Sequence, residues 1–219
     1  KYGQNILAET NSYELVISDK NDLSGLPNEL IETAAADAKS KGKAGKWVFT
    51  LSNSSVMPFL QYSSNRKLRQ EIWNAYQMRA NNGNDKDNKS LAIKIANLRG
   101  EKARLLGYAT HADYVLEKSM AKNPETANKL LNDLWIPALN MANKEAADIQ
   151  KMMQKEGINE PVQPYDWRYY TEKIRKERFD LDEQEMKPYF SLEKTREGVF
   201  TVCKNLYGLQ FKQLNNVPK

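Results

Sequence analysis

The amino-acid sequence predicts a mainly α-helical fold: an irregular multi-helix bundle with at most a small two-stranded β ribbon. Apolar residues recur at spacings of three and four through most long segments, which is the period of an amphipathic helix. Helix-start and helix-stop signals, such as Asn123-Pro124 and Gly107, flank these segments. Only residues 13–18 and 47–51 have the character of β-strands, and they can pair as the ribbon.

The first half of the chain predicts three longer helices. Pro27 suits the first turn of one helix, and Gly42 is its predicted end. Ser64 is the predicted N-cap of the next helix, and the turn-rich residues 81–85 separate it from a third helix that ends at Gly107. The apolar stripes predict the buried faces of these helices: Leu30, Ile31, Ala34, Ala35 and Ala38; Leu68, Ile72, Ala75 and Tyr76; and Leu91, Ile95, Leu98, Leu105 and Leu106.

The second half contains the longest predicted helix, at residues 124–156. At 1.5 Å per residue it is about 50 Å long, and Pro137 predicts a bend because proline cannot donate to the carbonyl one turn back. Thr110 and Asp113 have the spacing of a capping box before it. A last helix is predicted between Ser191 and Gly208. The predicted core stripes of these two helices are Leu130, Leu134, Ala138, Met141, Ile149 and Met152, and Leu192, Val199, Cys203 and Leu206.

Composition excludes several classes of protein. The chain has 219 residues, which suggests one domain or two small ones. No apolar run approaches the roughly 18 residues of a membrane-spanning helix, and no leader segment is visible. The net charge of +5 is concentrated around Lys39, Lys41, Lys43 and Lys46, which is typical of a solvated face and too weak for a nucleic-acid interface.

The side chains that could carry chemistry form no complete active site. A catalytic zinc site takes about three protein ligands, whereas His111 is the only histidine, Cys203 is the only cysteine and no HExxH motif is present. We therefore predict that this chain alone holds no catalytic zinc and hydrolyses no peptide. His111 is interpreted as an ordinary helix-start residue, and Cys203 as a core residue.

Other motifs are incomplete as well. The acidic run at residues 180–185 has Glu185 where a calcium-binding loop needs glycine, so it is interpreted as acidic residues in the first turn of a helix. Ser-x-x-Lys occurs four times without its companion motifs, and no phosphate-binding glycine loop is present.

Several segments, taken in order along the chain, form a recognisable series. They include Asp22-Leu23-Ser24-Gly25-Leu26-Pro27, Trp47-Val48-Phe49-Thr50-Leu51, Asn65-Arg66-Lys67-Leu68-Arg69, Leu98-Arg99-Gly100-Glu101-Lys102-Ala103-Arg104, Asp166-Trp167-Arg168-Tyr169-Tyr170 and Lys187-Pro188-Tyr189-Phe190. This series resembles one family: the zinc metallopeptidases that include thimet oligopeptidase, oligopeptidase A and bacterial peptidyl-dipeptidase, with the last branch most similar.

The resemblance implies that residues 1–219 are a helical, non-catalytic portion of a larger enzyme. Residues 1–190 would form the wall of a channel for short peptides, and residues 191–219 would lead toward a missing catalytic segment that binds zinc. The full enzyme would release C-terminal dipeptides, act as a monomer in the cytoplasm, with the periplasm not excluded, and bind neither nucleic acid nor membrane. The alternative is an independent α-helical module that binds peptides or a protein partner.

An aromatic group has two interpretations in this context. Its members are Trp167, Tyr169, Tyr170, Tyr189 and Phe190. Aromatic rings dominate burial in cores and interfaces, so these rings could be structural anchors. The resemblance allows a second interpretation, in which some of them line the peptide channel. Adjacent Tyr169 and Tyr170 lie about 100° apart on a helix and cannot both face one core, and Pro188 interrupts regular structure just before Tyr189.

Overall fold

The computed structural model describes residues 1–180 and 183–214, and its fold is mainly α-helical, as predicted. The elements are α1 (Tyr2–Ser12), β1 (Leu15–Ile17), α2 (Asn28–Ser40), β2 (Trp47–Phe49), α3 (Asn53–Tyr62), α4 (Arg66–Gln77), α5 (Lys89–Leu105), α6 (His111–Leu116), α7 (Pro124–Lys155), α8 (Pro164–Phe179), α9 (Glu183–Met186) and α10 (Leu192–Tyr207), with 3-10 turns at Lys20–Leu23 and Lys187–Tyr189. The chain divides into two compact units, Lys1–Ile174 and Arg175–Lys219.

The predicted β ribbon is confirmed. Strands β1 and β2 pair in an antiparallel arrangement with Val16 opposite Val48. Helix α2 packs against β2, and Ala34 and Ala38 of its predicted stripe are buried. The ribbon therefore forms one wall of the first hydrophobic core.

The first core joins the ribbon to α2, α3 and α4. The rings of Phe49 and Phe59 meet edge-to-face with their centroids 4.7 Å apart. Ile72 brings α4 into this core and is fully buried. The buried members of the cluster are Leu15, Ile17, Leu23, Leu26, Ala34, Phe49, Leu51, Val56, Phe59, Leu60 and Ile72.

A close approach between Gly25 and the end of α3 closes this core. Gly25 has a φ of +85°, and a Cβ atom there would lie 2.3 Å from the carbonyl oxygen of Tyr62. Ser64 donates both its backbone N–H and its hydroxyl to the carbonyl oxygen of Ser24, each at 2.9 Å. Only glycine allows the two backbones to lie this close.

The predicted N-cap of α4 was wrong by one residue. Asn65, rather than Ser64, caps the helix, and its Oδ1 accepts the backbone N–H of Leu68 at 3.1 Å. Its Nδ2 donates to Asp22 at 2.8 Å. Both residue types are good N-caps, and the hydroxyl of Ser64 is already bonded to Ser24.

A second, smaller core lies between the end of α7 and α8. Ile149, Met153 and Tyr170 are its buried residues. The partly buried hydrophobic residues around them are Met152, Ile158, Val162, Trp167, Tyr169 and Ile174. Because α7 leaves this core as it runs toward its N-terminus, only its C-terminal part is packed.

Helix α1 anchors the loop between α4 and α5. The carboxylate of Glu9 accepts the backbone N–H of Ala80 at 2.5 Å and the side-chain amides of Asn82 and Asn84 at 2.7 Å each. Ala80 has a left-handed backbone, with a φ of +57°, which is uncommon for a residue other than glycine. Burial alone would raise the pKa of Glu9, but these hydrogen bonds and Lys86 hold it below its usual value.

The predicted burial of the α5 and α7 stripes was mostly wrong. In α5, Leu98 is 52% and Leu105 is 88% exposed. In α7, Leu130, Leu134, Ala138 and Met141 are exposed, and only the C-terminal members of the stripe are enclosed, with Ile149 buried and Met152 half-buried. Helix α7 continues through Pro137 and ends at Lys155, while the bend at Pro137 stays a prediction.

The predicted caps of the later helices are confirmed. Thr110 and Asp113 form the capping box of α6, and Asn123 caps α7 by accepting the backbone N–H of Thr126 at 2.8 Å. In the second unit, Ser191 caps α10, which ends at Gly208 with a φ of +70°.

The second unit has no buried side chain in α10. Leu192 and Leu206 are 77% and 68% exposed, and Cys203 is half-buried, so its prediction as a core residue was wrong. Phe200 and Phe211 stack with their ring centroids 4.2 Å apart. In the predicted acidic helix start, Leu181 and Asp182 lie outside the described residues, and α9 begins at Glu183.

Candidate functional site

The most constrained polar site is a buried arginine–aspartate centre, which consists of Arg66, Arg69 and Asp166. Arg66 donates through Nε to Oδ1 of Asp166 at 3.0 Å and through Nη2 to Oδ2 at 2.9 Å. Arg69 donates through Nη2 to the same Oδ1 at 3.1 Å. Asp166 lies in the first turn of α8 and also accepts the backbone N–H of Gln163 at 3.1 Å. The centre therefore fixes the start of α8 against α4.

Each nitrogen of the Arg69 guanidinium group donates a hydrogen bond, although the residue is only 1% exposed. Its Nη1 donates to the carbonyl oxygen of Ser63 at 2.8 Å, and its Nε donates to that of Tyr165 at 3.3 Å. The guanidinium carbon lies 4.1 Å from the ring centroid of Tyr169, a distance typical of cation–π contacts. Because each of its three guanidinium nitrogens donates a hydrogen bond inside the protein, this buried arginine is a positioning element.

Two more acidic residues balance the charges around this centre. Glu160 accepts from Arg66 at 3.2 Å, while Glu156 forms an ion pair with Lys173 and accepts the hydroxyl hydrogen of Tyr170 at 3.1 Å. Arg66, Arg69 and Lys173 thus face Asp166, Glu160 and Glu156, three cations against three anions. Such a balanced set has no excess charge to attract a charged substrate.

The electrostatics of the centre rule out proton transfer by Asp166 near neutral pH. Burial alone would raise the pKa of Asp166, but hydrogen bonds from Arg66, the Gln163 backbone and Arg69 outweigh it and hold the pKa below its usual value. The pKa of Arg66 is raised, chiefly by its hydrogen bonds to Asp166. Asp166 and Arg66 therefore stabilise each other's charged forms, and the arrangement serves to orient α8.

Three of the five predicted aromatic residues lie on α8 beside this centre. Tyr170 is 1% exposed and is part of the second core, whereas Trp167 and Tyr169 are half-buried around it. The rings of Tyr169 and Tyr170 meet edge-to-face at 5.0 Å, and Lys173 lies 4.4 Å from the Tyr169 ring centroid. Burial, followed by the charge of Glu156 and the hydrogen bond to it, raises the pKa of Tyr170 above its usual range.

The other two predicted aromatic residues lie in the second unit. Pro188 is in the 3-10 turn Lys187–Tyr189, and Phe190 follows the turn outside any helix. Tyr189 is 75% and Phe190 is 66% exposed. The expected interruption of regular structure at Pro188 is therefore present, and both rings are accessible.

A polar pocket of about 360 Å³ lies between α1, α4 and the loop held by Glu9. Arg79, Lys86 and Tyr13 contribute to its lining. Arg79 is bonded to the carbonyl oxygen of Tyr76 and to Oγ1 of Thr10, and burial, followed by the charge of Glu71, raises the pKa of Tyr13 to about 12. Glu9, which also lines the pocket, is engaged by the loop through three hydrogen bonds, so the pocket is part of the loop's anchorage.

Comparison with known proteins identifies the family. The model of peptidase family M3 matches residues 59–219. The organellar oligopeptidase A of Arabidopsis thaliana, named as chloroplastic and mitochondrial, is 34% identical over 97% of this chain. The dipeptidyl carboxypeptidase of Escherichia coli is 33% identical over 100% of it, and the oligopeptidase A of Salmonella typhimurium is 33% identical over 99%. This chain belongs to peptidase family M3.

The match covers nearly all of this M3 chain but only part of each relative. The chain spans 28% of the length of the Arabidopsis protein and 32% of the length of the Escherichia coli enzyme. No helix within residues 1–180 and 183–214 is both long and apolar enough to cross a membrane.

Within residues 1–180 and 183–214, the side chains of this M3 chain do not fit a zinc site. His111 starts α6 and lies 6.3 Å, centroid to centroid, from Tyr114, and its Nδ1 is buried without a hydrogen-bond partner. Cys203 is on α10 in the other unit. Within the described part of the chain, no group of three or more His, Cys, Asp or Glu side chains could hold a metal ion. No catalytic step can be assigned to these residues.

The arginine–aspartate centre was not predicted from the sequence. Arg66 and Arg69 are three residues apart and share a helix face, which was the available signal that they act together. Asp166 is separated from Arg66 by 100 residues, and several other acidic residues have similar local patterns. The partner of the two arginines could be found only from the fold.

Proposed function

We propose that this chain is a helical, non-catalytic part of a peptidyl-dipeptidase that cleaves short peptides and releases C-terminal dipeptides. The proposal rests on the match of the whole chain to the dipeptidyl carboxypeptidase of Escherichia coli. It is supported by the side chains of the described residues, which do not form a zinc site. On this proposal the zinc is held by residues outside this chain, and the chain alone is inactive.

The arrangement of α8 supports a wall function for residues 1–190. A channel wall must hold its lining side chains in fixed positions while peptides pass. Arg66, Arg69 and Asp166 hold α8 at its first turn, and Glu156 and Lys173 hold it one to two turns later. Half-buried Trp167 and Tyr169 then keep defined orientations. We propose that these rings, with accessible Tyr189 and Phe190, contribute to the peptide channel.

The observed burial favours different roles for the two neighbouring tyrosines. Tyr170 is a core anchor in this structure, because its ring is enclosed and its hydroxyl group is bonded to Glu156. Tyr169 has one face against the Arg69 guanidinium and is half-buried. Of the pair, Tyr169 is therefore the proposed lining residue.

Oligopeptidase activity is the second candidate, because the relatives named oligopeptidase A are as similar to this chain as the dipeptidyl carboxypeptidases are. Family membership also weighs against an independent helical binding module. The relatives include both an organellar protein and one named as a probable cytosolic oligopeptidase A. We propose a cytoplasmic location, as for the second of these. We also propose that the enzyme is a monomer.

The deciding experiment uses the protein produced from the complete gene. It is incubated with N-terminally blocked peptides of five to fifteen residues, and the products are identified by mass spectrometry. Dipeptides released in order from the C-terminus support the first candidate, and internal cleavage supports the second. Loss of activity with a chelator and its return with zinc are expected. Absence of any hydrolysis by an intact, folded protein would contradict both candidates.

The 219-residue chain is the matched control in that experiment. It should hydrolyse none of the peptides, and a calorimetric titration should detect no tight one-to-one zinc site. A tight site accompanied by peptide hydrolysis would show that the chain contains its own catalytic centre, and would contradict its proposed non-catalytic role.

A further inference from the structure

The open segment of α7, residues 128–141, is the largest feature that the proposed wall function does not explain. Every residue in it is exposed. Seven of its fourteen residues are large and apolar, each between 43% and 67% exposed: Leu130, Leu131, Leu134, Trp135, Ile136, Leu139 and Met141. Together these side chains expose several hundred Å², which is at or above the upper end of what a monomeric soluble protein generally leaves in one patch.

The exposed apolar side chains include the predicted stripe and also extend well beyond it. At about 100° per residue, Trp135 is about 140° from Leu130 around the helix axis, and Ile136 is about 100° further on. These three side chains are 61–67% exposed and divide the helix circumference into three similar sectors. The sector of Ile136 also contains Lys129 and Asp133, and the other large apolar side chains occupy the rest of the circumference. A helix with apolar side chains on this many sides is typical of the interior of a large protein.

The polar residues of the segment are also unusual for a solvated helix. Lys129 and Asp133 are its only charged side chains, and they pair with each other at 2.6 Å. Asn128, Asn132 and Asn140 supply most of the remaining polar surface. Charged residues are depleted where a surface is fully covered by other protein. The low charge of residues 128–141 therefore indicates that the polar face of this helix is also covered by protein.

We propose that the open segment of α7 is enclosed on all sides by a further part of the same M3 peptidase, one that this chain does not contain. A two-fold partner copy or a bound peptide covers one face of a helix and would leave at least one of the three sectors in water. Relatives in which this chain spans 28–32% of the length contain more than enough additional chain to surround it. This inference rests on the proposed function, since it requires a longer enzyme.

Cysteine accessibility in the complete enzyme tests the proposal at each sector. Leu130→Cys, Trp135→Cys and Ile136→Cys are made separately in a Cys203→Ser background, with any other cysteine replaced, and are labelled with a maleimide. Lys39→Cys on α2, where Lys39 is exposed, is the matched control. We expect all three positions to react on the order of 100-fold more slowly than the control, since labelling then requires local opening.

Any other pattern of labelling rates at the three positions overturns the proposal. Fast labelling at all three positions means that the segment is exposed in the enzyme. Fast labelling at one or two positions means that the helix is covered on only part of its circumference. Protection that weakens on dilution means that a second copy supplies the cover. Hydrogen exchange of the unsubstituted enzyme over residues 128–141 is the second measurement, and fast exchange would overturn the proposal without any substitution.

Peptide hydrolysis by the same preparations separates this inference from the proposed function. An enzyme that hydrolyses peptides but labels rapidly at these positions contradicts enclosure alone. A protein that is protected at all three positions but hydrolyses no peptide contradicts the proposed function and leaves the enclosure in place.

Discussion

Two regions of the first unit have similar apolar patterns and opposite environments. In α4, Ile72 is fully buried against the first core, whereas in α7 Leu131, also on an amphipathic helix, is 63% exposed. The arginine–aspartate centre and the first core fix α4, while every residue of the segment 128–141 is exposed. An apolar stripe thus predicts a helix and a surface to be covered, but the part of the protein that covers it can be elsewhere.

The largest expected effect comes from neutralising the buried carboxylate. Asp166→Asn leaves the buried Arg69 without its counter-charge and removes one of the two carboxylate partners of half-buried Arg66, which should lower the free energy of unfolding by about 3–5 kcal/mol. Asp133→Asn, which breaks the exposed pair with Lys129, should change it by less than about 1 kcal/mol. Urea unfolding followed by circular dichroism measures both variants. Equal losses of unfolding free energy in Asp166→Asn and Asp133→Asn would mean that the packed region and the exposed region do not differ in this respect.

Apolar truncation tests the same comparison without charge. Ile72→Ala removes buried methyl groups and leaves a cavity, so we expect a loss of about 2–5 kcal/mol in the free energy of unfolding. Leu131→Ala should cost less than about 0.5 kcal/mol in the 219-residue chain, because its side chain is in water there. In the complete enzyme, the loss in the free energy of unfolding caused by Leu131→Ala should rise above about 1 kcal/mol. A value that stays the same in both proteins would mean that Leu131 is equally exposed in both.

Acid should weaken the packed region specifically. The folded-state pKa of Asp166 lies below its usual value, so its charged form adds stability above about pH 4, the ordinary pKa range of Asp. That stability is lost as the pH falls further toward the folded-state pKa. Unfolding free energies measured at pH 7, 5, 4 and 3 should be steady down to about pH 5 and then fall. The fall should be shallower in Asp166→Asn, and identical profiles would mean that Asp166 is not responsible.

The smallest expected effects separate a buried tyrosine from an exposed one. Tyr170→Phe removes a hydrogen bond to Glu156 and should lower the free energy of unfolding by about 1 kcal/mol, with kcat/KM of the complete enzyme unchanged. Tyr189→Phe should leave stability within about 0.5 kcal/mol but lower kcat/KM by roughly tenfold, if its hydroxyl group contacts the peptide. An unchanged kcat/KM in both variants would leave the two hydroxyl groups with no role in substrate binding.

Local signals predicted the local structure well. The capping residues Thr110, Asn123 and Ser191 were predicted because each needs only its own next three residues to form the cap. The ribbon was predicted because two short β-rich segments had no other partner. The prediction of Ser64 as the cap of α4 was wrong because Asn65 is an equally suitable cap, and the hydroxyl of Ser64 donates instead to the carbonyl oxygen of Ser24, 40 residues earlier.

Long-range features could not be predicted in the same way. The pairing of Arg66 with Asp166 depends on how α8 meets α4, which no local pattern specifies. Leu130 and Leu134 lie on one stripe, as predicted, but both are exposed rather than part of a core within the described residues. On our proposal they are covered by chain outside these residues, which no local pattern could indicate. The roles of the aromatic residues stay predictions, because burial locates Tyr170 but does not identify a bound peptide.

The anchoring of Ala80, Asn82 and Asn84 by Glu9 makes the connection between α4 and α5 dependent on the first helix. The carboxylate of Glu9 takes the place of water as the hydrogen-bond partner of the loop residues. The loop and α1 should therefore become ordered or disordered together. Detachment of α1 would expose a chain segment rich in asparagine and glycine to proteases while both flanking helices are still folded. Limited proteolysis between residues 81 and 87 would then report the docking of the N-terminal helix, well before the loss of the hydrophobic cores.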